Sequence, residues 1–98
     1  MTREEVSAVL RAHEAELKAA GIVHLHLHGS VARGDAGPDS DVDLAGRFDR
    51  GKRLSLLDMV GLQNRLSDIL GTGADLCDAD RLKAGVRENF DREAELVF

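Results

Sequence analysis

From Gly29 to Leu44 the chain reads Gly-Ser-Val-Ala-Arg-Gly-Asp-Ala-Gly-Pro-Asp-Ser-Asp-Val-Asp-Leu. Asp41 and Asp43 stand two apart in an apolar-alternating run. In a strand that spacing puts both carboxylates on one face, about 7 Å apart along it. Such a pair repels unless a cation sits between its members. Hard oxygen ligands suit Mg²⁺, which is commonly held by one or two carboxylates together with substrate phosphates. Upstream, Gly29-Ser30 sits where a strand turns into a helix, so backbone N–H groups and a hydroxyl are offered to an anion. A phosphate grip beside a metal-binding carboxylate pair points to chemistry on a nucleoside triphosphate.

The flanking elements are those needed to hold that loop. Thr2-Arg-Glu-Glu5 forms a capping box. Val6, Val9, Leu10, His13 and Leu17 then share one face of a helix that Gly21 stops. Ile22–His28 predicts a first strand, with Val23, Leu25 and Leu27 on one side and His24, His26 and His28 on the other. Three histidines so spaced can bind a transition metal; the simpler reading places them on the polar face of a sheet whose helices all lie on its other side. Ser30–Gly34 predicts a short helical turn, which Ser30 caps, and Asp35–Asp39 a solvated loop. Ser40–Ala45 predicts a second strand, and 46–53 a turn carrying Arg47, Arg50, Lys52 and Arg53.

Ser55, with Asp58 three residues on, starts a long helix. Its apolar stripe comprises Leu56, Met59, Val60, Leu62, Leu66, Ile69 and Leu70. Ala74–Cys77 predicts a third strand that alternates again, Ala74 and Leu76 against Asp75 and Cys77. If the apolar faces of all three strands pack on the same helices, Asp75 arrives beside Asp41 and Asp43 as a third carboxylate. Asp78 or Asp80 caps a last helix with Leu82, Val86 and Phe90 four apart, and the apolar tail Leu96-Val97-Phe98 docks. Elements in this order describe an α/β or α+β sandwich of about two layers.

Composition narrows the function classes. A chain of 98 residues with 43% hydrophobic content suits one small folded domain, 1–98. Three Phe with no Trp or Tyr argue against stacking single-stranded bases, and a formal net charge of −5 argues against holding nucleic acid through its phosphates. The single cysteine, Cys77, excludes an internal disulfide and is expected to pack rather than react. No signal peptide or membrane-spanning run is visible, so a cytoplasmic protein without membrane contact is expected.

Gly29-Ser30, Ala32-Arg33-Gly34 and Ser40-Asp41-Val42-Asp43-Leu44 together resemble the signature of the polymerase β-like nucleotidyltransferase superfamily. More narrowly, the chain resembles the minimal nucleotidyltransferase antitoxins encoded beside HEPN-domain toxins. That resemblance implies an α+β palm core, a small mixed sheet of three to four strands flanked by helices. It implies that Asp41 and Asp43 bind two Mg²⁺ ions. Asp75 would hold one of them and help deprotonate the attacking hydroxyl, while Gly29 and Ser30 contact the triphosphate. Arg33 either joins that contact or pairs with nearby carboxylates. Two sites depart from the family pattern: His28 stands where an apolar or aromatic residue is usual, and Gly46-Arg47 interrupts the run after the second strand.

The implied activity is transfer of AMP from ATP to a protein hydroxyl, a tyrosine of a cognate HEPN RNase toxin. Two alternatives compete with it. One is a non-catalytic antitoxin that covers its partner. The other, ranked last, is transfer to a small molecule, for which the chain carries no added helical acceptor domain.

Overall fold

The structure, a computed structural model, describes residues 1–37 and 40–98; the loop expectation for Pro38 and Asp39 lies outside the described residues. Helices α1 (Arg3–Ala12) and α2 (Glu14–Ala19) lead into strand β1 (Ile22–His28) and a short helix α3 (Gly29–Arg33). Strand β2 (Val42–Phe48), helix α4 (Leu56–Leu70) and strand β3 (Ala74–Asp78) follow. A 3₁₀ turn (Ala79–Arg81), helix α5 (Ala84–Glu93) and a two-residue strand β4 (Glu95–Leu96) complete the order.

The strands form one mixed sheet in the order β3-β2-β1-β4, antiparallel about β1 and parallel between β2 and β3. Its main core lies against one face. Val6 and Leu10 of α1, Leu17 of α2 and Leu62, Leu66 and Leu70 of α4 pack on Leu25, Leu27, Val42, Leu44 and Leu76. The tail docks through Val97 and Phe98, with Val97 buried and its amide donating to the Leu25 carbonyl, while Leu96 stays exposed. Both capping boxes form, at Thr2 with Glu5 and at Ser55 with Asp58.

Several expectations are corrected. The first helix is two, broken at His13, whose amide bonds back to Leu10 in a tightened turn. The register of β1 on β2 shifts between Ile22 and His24. That bulge places one extra residue in the strand, so Ile22 is buried and Val23, expected inside, is exposed. Strand β2 does not stop at Ala45; it runs to Phe48 because Gly46, Arg47 and Phe48 pair with Leu25, His24 and Ile22. Leu56 and Val60 are exposed, with Leu57 beside them, since α4 meets the core only further along.

The polar face is not free of helices either. Phe90 of α5 is buried with Ala45 and Ala79 on that side, and it meets the rings of His26 and His28 edge-on at 5.4 and 5.7 Å. The last helix is capped neither by Asp78 nor by Asp80. Asp78 caps the 3₁₀ turn instead, accepting from the Asp80 amide.

Candidate active site

Strand pairing positions the acidic residues. Asp43 lies opposite His28 on β1 and in register with Asp75 on β3, so the three side chains occupy neighbouring positions on the face away from the main core. Asp41 sits one residue before β2, on the same side and exposed to solvent. Asp43 is half-buried.

Two glycines make room for the carboxylates. A Cβ on Gly29 would stand 2.1 Å from Asp43 Oδ2, and one on Gly73 would stand 2.3 Å from Asp41 Oδ1. Gly29 has φ +72°, a left-handed conformation that L side chains rarely adopt. The glycine at this turn therefore serves backbone geometry and the approach of a carboxylate at once. As the side chains stand, Asp41 rests on Gly73 and Asp43 on Gly29. Among the described residues no three acidic, His or Cys groups converge tightly enough to grip an ion.

Electrostatics sets Asp43 apart. Burial pushes its pKa up, and the charges of Asp75 and Asp41 push the same way against His28 and Arg33. Arg33 does not neutralise the cluster: its guanidinium donates to Asp35 and Glu93 at 3.1 and 3.2 Å. A site of hard carboxylate oxygens whose like charges lack a committed cation fits a divalent metal of the Mg²⁺ type.

The remaining site residues divide. Gly29 begins α3 and Ser30 is its second residue, so Ser30 lies inside the first turn rather than at the cap. Gly34 closes the helix in the left-handed conformation. Of the histidines, His24 Nδ1 lies 3.3 Å from the carbonyl of Phe98. His26 has a buried Nδ1 with no partner among the described residues, and burial lowers its pKa. His28 Nε2 lies 3.9 Å from Cys77 Sγ, whose thiol burial pushes up. Beside them α5 presents Val86, Asn89, Phe90 and Glu93 towards Gly29 and Arg33. This grouping escaped the sequence, although the spacing i, i+3, i+4, i+7 marks a single helical face.

A carboxylate cluster on a small mixed sheet, next to a glycine turn, is the constellation of a nucleotidyltransferase. Comparison with known proteins agrees: residues 11–98 match the family model "Polymerase beta, Nucleotidyltransferase". The chain belongs to the polymerase β nucleotidyltransferase family. It is 36% identical over 98 residues to the protein adenylyltransferase MntA of Thermococcus cleftensis, covering 99% of this chain and 97% of that relative. A solved minimal nucleotidyltransferase superposes with a TM-score of 0.72 at 35% identity, covering 97% of this chain and 95% of the other. The MNT antitoxin complexed with tri-AMPylated Shewanella oneidensis HEPN toxin shares the fold, with a TM-score of 0.61 and 15% identity over 90% of this chain and 71% of that one.

Proposed function

We propose that this nucleotidyltransferase is an antitoxin that moves AMP from ATP onto a hydroxyl of a cognate HEPN-domain toxin, a tyrosine in the leading form of the proposal. The observation that carries it is the parallel register of Asp43 with Asp75, beside Asp41 and across from the Gly29 turn. The near-full-length likeness to a protein adenylyltransferase supplies the acceptor class. The HEPN partner is inferred from the complex that shares the fold.

Asp41 and Asp43 would hold two Mg²⁺ ions, with Asp75 as a further ligand of one. Bound there, Mg²⁺ supplies charge stabilisation to the attacking and leaving oxygens of an in-line displacement. The chain's own groups do the rest. The backbone at Gly29 and Ser30 orients the triphosphate. Asp75 accepts the proton of the acceptor hydroxyl as its oxygen bonds to the α-phosphorus. The bond from that phosphorus to the bridging oxygen breaks, and pyrophosphate leaves. Positioning and charge stabilisation provide most of the acceleration, as in phosphoryl transfer generally.

The double substitution Asp41→Asn with Asp43→Asn separates catalysis from masking. Losing the stabilisation of several kcal/mol that metal coordination provides predicts a fall in transfer of about 10³-fold or more. Toxin neutralisation should be lost while the complex still forms. Neutralisation that persists at full strength in the double variant would mean the partner is silenced by being covered.

A further inference from the structure

Strand β3 is an edge of the sheet, with β2 on one side only. An edge strand leaves the peptide groups of its outer side without a strand partner. The Val42 amide donates to the Gly73 carbonyl at 2.9 Å. Peptide groups alternate along a strand, so Gly73, Asp75 and Cys77 turn theirs towards β2, while Ala74 and Leu76, the neighbours of Asp75, turn theirs outward. Side chains of α4 take up both outward amides. The Ala74 amide donates to Ser67 Oγ at 3.0 Å, and the Leu76 amide donates to Gln63 Oε1 at 2.9 Å. Ser67 in turn donates its hydroxyl proton to the Gln63 carbonyl at 3.1 Å. Residues four apart share a helix face, and this pair runs alongside the buried Leu62, Leu66 and Leu70. The two polar side chains therefore stand where the core-facing helix meets the edge of the sheet.

We propose that Gln63 and Ser67 are positioning residues for Asp75. By bonding the amides on either side of it, they hold the edge strand in the register that sets Asp75 next to Asp43. The proposal rests on the reading of Asp75 as metal ligand and proton acceptor, and it adds what keeps that group in place. Asp43 lies on β2, which has a strand on both sides. Asp75 is exposed, so the place of its carboxylate depends on its backbone. That backbone has β2 on one side and, on the other, the two α4 side chains in the role of a missing strand. Partners that orient a ligating group from behind are typically worth about 10- to 100-fold in metal affinity or activity.

The test compares Gln63→Met, which keeps the length of the side chain and removes the acceptor, with Gln63→Glu, which keeps an acceptor oxygen. Each is made in the full chain and again together with Asp75→Asn, and a thermal melt checks that each is folded. Two quantities are read: AMP transfer to the cognate HEPN-domain partner in Mg²⁺, and amide exchange of the protein in EDTA. Gln63→Met should lower kcat by about 10- to 100-fold and leave the KM for the partner unchanged. It should also speed exchange at the Asp75 amide, not only at Leu76, and Gln63→Glu should restore both readouts. Combined with Asp75→Asn, Gln63→Met should cost no further activity, because a residue that acts through another is silent once that one is gone. Should Gln63→Met melt too low to assay, Ser67→Ala, which removes the acceptor at Ala74, carries the same comparison. An equal loss with and without Asp75→Asn would mean that the pair holds the fold rather than Asp75. Unchanged kcat, or unchanged exchange at Asp75, would overturn the proposal as well. If Asp75→Asn alone transfers at the native rate, the reading of Asp75 fails and the positioning proposal falls with it, while the case for Asp41 and Asp43 stands.

Discussion

At the scale of single residues, Gly29 and Asp43 form one unit. Gly29 and Gly34 share a left-handed backbone, but only at Gly29 would an added Cβ strike a carboxylate; at Gly34 it meets nothing within 4 Å. Gly34→Ala should therefore cost only the strain of a left-handed alanine, about 1 kcal/mol. Gly29→Ala should cost at least as much and should also swing Asp43 out of place, lowering Mg²⁺ affinity and transfer by roughly tenfold or more. Paired melts and Mg²⁺ titrations of the two variants check this; equal Mg²⁺ affinity in both would refute the coupling. Asp43 also makes a pH prediction. Its folded-state pKa lies above the ordinary value of 3.8, so folding favours the protonated form and ionisation on raising the pH costs stability. Asp43→Asn should raise Tm at pH 7 in divalent-free buffer, and the gain should vanish well below pH 3.8, where both states are protonated. Magnesium binding needs the ionised form, so transfer by the native protein should decline as the pH falls towards the raised Asp43 pKa. A pH series of melts with and without EDTA reads the stability effect, and the same series of transfer rates reads the other.

At the scale of elements, the sheet is held from both sides and the two sides do different work. The α2–α4 layer is stapled by Arg65, which donates to Glu16 at 2.6 and 2.8 Å and draws its pKa down from 4.5 to about 2. A carboxyl depressed in this way stabilises the fold above its unfolded pKa of 4.5, and that contribution is lost as the pH falls through about 2. Glu16→Gln should thus lower Tm at pH 6 and lose its effect only below about pH 2, with the effect shrinking in high salt because the pair is exposed. On the polar face, Phe90 alone of α5 is buried. Phe90→Ala should cost about 3 kcal/mol and should free α5, which faster amide exchange across Ala84–Glu93 would reveal; unchanged protection there would contradict it. Period-two alternation made the facing of Asp41, Asp43 and Asp75 readable, and cap residues at Thr2 and Ser55 marked where their helices start. The bulge at Val23 left no such mark, because an extra residue in a strand shows only against its partner. Nor did the far end of β2: Gly46 and Arg47 read as a turn, yet pairing with β1 makes them strand. Leu82, Val86 and Phe90 fall four apart, but Phe90 is buried, Leu82 packs partly buried beside it and Val86 is half exposed, and a single sequence does not say which side of a sheet a helix will cover.

At the scale of the whole molecule, the sheet places Asp41, Asp43 and Asp75 near the Gly29 turn, and α5 packs next to that turn. Among the described residues no helix is long and apolar enough to cross a membrane. A formal net charge of −5 gives the chain a field that attracts basic surfaces and repels polyanions at long range. The Gly-Ser turn and the Asp-x-Asp pair were legible because each needs specific residue types at a fixed interval. Which nucleotide is bound was not, since no residue in the sequence marks itself as reading a base. The most direct measurement is the intact mass of the cognate HEPN-domain partner after incubation with this protein, ATP and Mg²⁺. A gain of one or more AMP units, absent with EDTA and with the Asp41→Asn, Asp43→Asn variant, is the predicted result. An unchanged partner mass with ATP, GTP, CTP and UTP alike would contradict nucleotide transfer to that partner.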